Sequence, residues 1–137
     1  MSETTYSIKE VSEQVGWSIH MLRYYEKEGL LPPIARDDKG YRCYSEANLG
    51  LILFLERLRM TGMGISQMRV YVQLYQDRHI DEKALLPERI KLLRDHRESV
   101  LAQIDVLRHN LEAIEYKIEL YETELEELEN HGEPQTT

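Results

Sequence analysis

Cysteine is nearly missing: Cys43 is the one thiol in 137 residues. That excludes an intramolecular disulfide, an iron–sulfur cluster and any all-cysteine metal site within one chain, and it fits a reducing cytoplasm. No apolar run approaches the roughly 20 residues that span a bilayer, so no membrane partner is expected. Met1 to Tyr6 is polar and lacks the apolar core of an export signal, so a cytoplasmic location is expected. There is no internal repeat and no low-complexity stretch. The motifs of enzymes are missing as well: no phosphate loop, no nucleophile motif and no paired-carboxylate constellation, which argues against catalysis and implies no cofactor. The five histidines, His20, His79, His96, His109 and His131, form no ligand motif with carboxylates and read as scattered surface residues.

Excess positive charge is also lacking, since the net charge is −8. Its distribution matters more than its sum. Residues 1–80 hold 10 Lys/Arg and 10 Asp/Glu, while residues 81–137 hold the remaining 7 Lys/Arg against 15 Asp/Glu and carry the whole excess. The N-terminal part is therefore free to present a local basic face. At 42% hydrophobic and 31% charged residues, the chain is long enough for one compact domain with an extension, but not for two large cores.

Helix signals are frequent. Ser7 can cap a helix with Ile8, Val11 and Val15 at helical spacing, ended by Gly16. Ser18 can cap a second, with Ile19 and Leu22 inward and Gly29 at its stop. Two short helices about a tight glycine turn are the helix-turn-helix pattern. Pro32-Pro33 forces extended chain, and Ile34 to Tyr44 reads as a hairpin turning at Asp38-Lys39-Gly40. Ser45 can cap a third helix, whose run Leu49, Ile52, Leu53, Phe54, Leu55 and Leu58 is the expected core; Asn48 falls short of the Glu or Gln of a full capping box. Gly62-Met63-Gly64 breaks the chain before a fourth helix capped by Ser66, with Met68, Tyr71, Val72 and Tyr75 as its packing face. Residues 76–86 read as a polar connector, and Pro87 suits the first turn of a last helix.

That last helix is the most periodic segment. From Ile90, alternating steps of 3 and 4 land on Leu93, Arg97, Val100, Ile104, Leu107, Leu111, Ile114, Ile118, Tyr121, Leu125 and Leu128. A repeat of 3.5 residues is a coiled-coil seam, polar only at Arg97. From residue 87 to 129 the helix is about 65 Å long at ~1.5 Å per residue, so it needs a second chain to bury its seam. The flanking e positions run from Arg94 and Arg108 to Glu115, Glu122 and Glu129. An antiparallel pair can set Arg108 against Glu115 and Arg94 against Glu129, so antiparallel pairing is expected. The predicted architecture is mainly α: a winged helix-turn-helix domain with a small β-hairpin wing (5–75), a connector (76–86), a long C-terminal coiled-coil helix (87–129) and a polar tail (130–137).

His20, Arg23, Tyr24 and Lys27 share one face of the second helix, opposite Ile19 and Leu22, with Ser18 at its start. A recognition helix needs this division, one face docking and the other entering the major groove. Arg36, Lys39 and Arg42, interleaved with Tyr41 and Tyr44, give the hairpin a second cationic cluster suited to a nucleic-acid backbone. Cys43 has two readings: a small residue packed under the wing, or a thiol beside cations that could act as a redox or electrophile switch.

Residues 6–75 resemble the DNA-binding domain of the MerR family. The match rests on Tyr6-Ser7-Ile8-Lys9-Glu10-Val11, Leu22-Arg23-Tyr24-Tyr25-Glu26, Gly29-Leu30-Leu31-Pro32, Gly40-Tyr41-Arg42 with Tyr44-Ser45, and Gly62-Met63-Gly64-Ile65. The long terminal helix extends it to nearly the whole chain. The resemblance implies a homodimer joined by an antiparallel coil through its C-terminal helix. It implies recognition-helix contacts at Arg23 and Tyr24 and wing contacts at Tyr41 and Arg42. It further implies a double-stranded promoter DNA partner with a pseudo-palindromic operator, bent and underwound so that RNA polymerase reads its elements in register. Metal-sensing members use cysteines near the far end of the coil, where this chain has none. Drug-sensing members append an effector domain, where this sequence has a short tail. Some short members answer to aldehydes through a cysteine of the third helix, at a position where Arg57 stands here. An architectural DNA binder or recombination accessory protein of the same fold is the alternative, and a coiled-coil scaffold whose helix-turn-helix binds protein is a third reading.

Overall fold

The computed structural model describes residues 4–76 and 81–131. The chain divides into two compact units, residues 1–96 and 97–137. His79 and the tail beyond residue 131 lie outside the described residues.

The first unit opens with a two-residue strand, β1 (Thr5–Tyr6), and then α1 (Ile8–Val15). Ser7 and Glu10 form a complete capping box: the Glu10 amide donates to Ser7 Oγ (3.1 Å) and the Ser7 amide to Glu10 Oε1 (2.9 Å). Ser18 starts α2 (Ile19–Lys27), its Oγ accepting from the Met21 amide at 3.0 Å. The end of α2 is a Schellman turn, with the Leu30 amide on the Tyr25 carbonyl (2.8 Å) and the Gly29 amide on the Glu26 carbonyl (3.2 Å). Gly29 sits there at φ 75°, where a side chain would be strained. Strands β2 (Ala35–Arg36) and β3 (Arg42–Ser45) form the wing, pairing antiparallel with Arg36 opposite Arg42. On the other edge of β3 lies β1, Tyr6 opposite Tyr44, giving the sheet order β1-β3-β2. The expected hairpin is thus two strands of a three-stranded sheet.

Helix α3 (Glu46–Met60) begins at Ser45, and Asn48 does close its capping box: its Oδ1 accepts from the Ser45 amide at 2.9 Å. A capping box needs a side-chain acceptor at this position, and the Asn48 carboxamide oxygen supplies it. Helix α3 is buried from Leu58 and Leu51 round to Ile52 and Leu49, leaving Leu53 on the far side, 41% exposed, rather than in the core. Helix α4 (Ile65–Gln76) starts with Gly64 at its cap, whose carbonyl accepts from the Met68 amide at 3.0 Å. Ser66 therefore lies inside the first turn. Its expected packing residue Tyr75 is 41% exposed, stacked on Tyr71 and overlaid by the Arg89 guanidinium.

Helix α5 (Glu82–His131) starts earlier than the position of Pro87 suggests. The Asp81 carbonyl accepts from the Ala84 and Leu85 amides, Leu85 is buried, and Arg89 pairs with Glu82. A proline this near the start removes a single helical hydrogen bond, and these contacts outweigh it. Of the connector expected over residues 76–86, Gln76 ends α4, residues 82–86 belong to α5, and residues 77–80 lie outside the described residues. Farther along, His96 Nε2 lies 2.8 Å from Thr61 Oγ1 at the end of α3.

The core of this unit includes Val11, Trp17, Leu22, Ile52, Leu55 and Met68. Trp17 is 2% exposed, its ring 4.6 Å from that of Tyr25, and its indole N–H donates to the Glu56 carboxylate. Arg59 grips the same carboxylate with two bonds of 2.7 and 2.9 Å. The Arg59 bond holds Glu56 below the usual carboxylate pKa, against the opposing effect of burial and with help from the indole. A carboxyl depressed by folding contributes stability above its unfolded pKa and loses it as pH falls through its folded pKa. Glu56→Gln should therefore destabilise at neutral pH and flatten the acid limb of a melting-temperature profile. An unchanged acid limb would show that Glu56 carries none of the acid sensitivity.

In the second unit the described residues, 97–131, are one helix, about 50 Å long at ~1.5 Å per residue. Its seam residues Ile104, Leu107, Leu111, Ile114, Ile118, Tyr121, Leu125 and Leu128 are all exposed.

Candidate nucleic-acid interface

His20, Arg23, Tyr24 and Lys27 all face outward on α2, while Leu22 and Tyr25 are buried beneath them. Ser18 is exposed at the start of the helix, but its oxygen is already used as the cap. The division into a docking face and a free face follows from the helical period and is realised as the sequence predicts.

Asp37 builds the wing tip. Its Oδ1 accepts from the Lys39 and Tyr41 amides, both at 2.9 Å, and its backbone pairs with Tyr41 and Gly40. Gly40 takes φ 86° to turn the chain. Arg36 Nη1 donates to the Gly40 carbonyl at 2.8 Å, so this cation also braces the turn. Tyr41 is 69% exposed, and Lys39 stands at the exposed tip. Cys43 is half-buried, its Sγ 3.7 Å from the Tyr41 carbonyl. Strand alternation puts it on the face opposite Arg42 and Tyr44.

A concavity of about 320 Å³ joins the helix to the wing. Arg23 of α2 lines it together with Arg36, Gly40, Tyr41 and Arg42 of the wing and with Ser7 and Ile8 at the start of α1. Four of the nine residues singled out from the sequence thus share one surface; Ser18, His20, Tyr24, Lys27 and Lys39 do not line it. The electrostatics of Tyr44 report the same convergence. Burial pushes this phenol above its ordinary pKa, Glu26 adds to the rise, and Arg42, Arg23 and Arg36 all oppose it.

Sequence reasoning missed two contributors. One is the start of α1, signalled by the Ser7/Glu10 capping pair. The other is Glu26: its Oε1 accepts from Arg42 Nε at 2.6 Å, and its Oε2 from the Ile34 amide at 3.5 Å. No local pattern announces it, because its partner is 16 residues away.

Two short helices crossing at a tight turn, a hairpin wing beside the second, and arginines gathered between them define a winged helix-turn-helix regulator. Residues 7–44 match the family described as MerR family regulatory protein. Over 134 residues the chain is 33% identical to the HTH-type transcriptional regulator YyaN of Bacillus subtilis, covering 91% of this chain and 97% of YyaN. A MerR family transcriptional regulator from Listeria monocytogenes has a similar structure, with a TM-score of 0.81, 35% identity, and coverage of 93% of this chain and 96% of that one. HiNmlR, a MerR family regulator lacking the sensor domain and solved bound to promoter DNA, gives a TM-score of 0.76 at 31% identity, with coverage of 88% and 92%. The chain belongs to the MerR family of transcriptional regulators; it is a regulator, not an enzyme.

Proposed function

We propose that the chain is a homodimeric, sequence-specific DNA-binding regulator that grips a pseudo-palindromic promoter operator and distorts it to control transcription by RNA polymerase in the cytoplasm. The observation that carries this reading is the concavity where Arg23, Arg36 and Arg42 converge with Tyr41. Three guanidiniums on a water-open surface beside the positive end of a helix are suited to a phosphate oxygen. His20, Arg23, Tyr24 and Lys27, exposed on α2, are suited to groove edges, and Lys39 at the wing tip to the backbone. HiNmlR supports the choice of DNA as ligand, since it was solved on promoter DNA.

The exposed seam of residues 104–128 is the proposed dimer contact. An apolar stripe of this length marks an interaction surface. The basic-to-acidic order of the e positions favours antiparallel pairing, each exposed pair adding only about 0–1 kcal/mol. A two-fold dimer presents two identical readers, hence a two-fold operator.

Fragments of the source genome selected by the protein should share a pseudo-palindrome beside a promoter, protected on both half-sites in footprints; one asymmetric protected half-site would sink the dimeric reading. Arg23→Ala should weaken binding while leaving the circular dichroism spectrum unchanged. If Arg23 contacts phosphate the salt slope falls by about one unit, and if it reads guanine the loss is about 1–3 kcal/mol at one base position. Undiminished affinity would remove Arg23 from the interface.

A further inference from the structure

The proposed DNA face contains a carboxylate that phosphate should reject. Glu26 lies on α2, three residues after Arg23, and it faces the wing. Its two oxygens reach both arms of the wing: Oε1 takes the Arg42 Nε–H of β3 at 2.6 Å, and Oε2 takes the Ile34 amide, just before β2, at 3.5 Å. Both side chains of the Glu26–Arg42 pair are 18% exposed. The pair is therefore better shielded than an ordinary surface ion pair and better able to fix a geometry. The contacts tie the edge of α2 to β3 and to the residue that leads into β2, and the Arg36–Arg42 pairing connects the two strands to each other.

The division of donors on Arg42 matters most. A guanidinium has one N–H at Nε and four at its two terminal nitrogens. Glu26 occupies Nε, and among the described residues the terminal nitrogens of Arg42 have no partner. The same side chain lines the concavity with Arg23, Arg36 and Tyr41. Held by its inner nitrogen, Arg42 would offer its outer fork to a ligand in the concavity without first having to be ordered, which is how preorganisation adds affinity.

We infer that Glu26 is a positioning residue for DNA binding: it locks the wing to the recognition helix and aims the Arg42 fork at a backbone phosphate. The inference rests on the DNA-binding reading above. It also makes a prediction opposite in sign to simple electrostatics. Removing a carboxylate from a surface that binds a polyanion should tighten binding and steepen its salt dependence. Removing a positioning residue should weaken binding and make the dependence shallower.

The test uses the full-length protein, a long mixed-sequence duplex and a salt series, with circular dichroism and thermal melting to verify folding. Glu26→Gln should weaken binding about five- to tenfold and lower the salt slope by about one unit per protomer. In an Arg42→Ala background, Glu26→Gln should cause no further loss. Arg42→Lys is the second variant. It keeps the charge and leaves Glu26 on the Ile34 amide, but lacks the Nε–H, so it should behave like Glu26→Gln. Tighter binding by Glu26→Gln, an equal effect in both backgrounds, or wild-type binding by Arg42→Lys would each overturn the positioning role and leave DNA binding intact. Failure of the wild-type protein to bind duplex in a salt-dependent way would overturn the DNA-binding reading, and this inference with it.

Discussion

Replacing Leu111 and Ile114 together by glutamate should yield a folded monomer that no longer holds the proposed two-half-site operator. Both side chains are exposed in the single chain, so folding of the N-terminal unit does not depend on them. In the proposed dimer they become buried. Each Leu or Ile covered on pairing contributes about 1.5–3 kcal/mol, and a two-fold dimer contains each position twice. The substitution therefore removes about 6–12 kcal/mol of apolar burial and places four carboxylates in the middle of the seam. Sedimentation should show monomer at micromolar concentration with an unchanged melting temperature for the N-terminal unit. Operator affinity should fall at least ~10³-fold, since the second half-site no longer benefits from a high effective concentration. A persistent dimer would place the association surface elsewhere.

Trp17→Ala should unfold the reading head or bring it close to unfolding. The indole is 2% exposed, contacts the Tyr25 ring and donates to Glu56. Truncating a buried aromatic costs about 3–5 kcal/mol, a large share of the roughly 5–15 kcal/mol that holds a domain of this size together. Trp17→Phe separates the two contributions. It keeps much of the packing but removes the indole N–H, so its cost should be about 1–3 kcal/mol. Urea denaturation followed by circular dichroism measures both. A loss below about 1 kcal/mol for the alanine variant would show that Trp17 does not organise the junction of α1, α2 and α3.

The parts of this fold that could be read from the sequence are those whose determinants are local. Ser7, Ser18 and Ser45 cap helices through bonds that reach three residues along the chain. Gly29 ends α2 because the turn itself needs its backbone. The seam on α5 is a pattern of one helix with itself. What escaped depends on partners distant in sequence. Strand β1 is two residues that become a strand only by pairing with β3, some 40 residues on. Leu53 sits in an apolar run, and its outward direction is decided by where α3 packs. Pro87 signals a helix start when taken alone, yet the buried Leu85 and the Arg89–Glu82 pair extend the helix back past it. At the proposed interface, Arg23 and Tyr24 were legible as one face of a helix, whereas Glu26 was not, because its contacts exist only once the wing has folded against it.

The acidic composition of the distal helix affects how this protein meets DNA at all. Residues 112–129 carry eight glutamates against the single Lys117, all of them exposed. A duplex drifting toward that stretch is repelled over roughly a Debye length, about 8 Å at physiological salt. On the DNA-binding reading proposed above, that stretch disfavours contact with a duplex, whereas the arginine-lined concavity attracts one. Acidity confined to one stretch would thus lower indiscriminate adhesion of nucleic acid there, independently of any base that the protein reads.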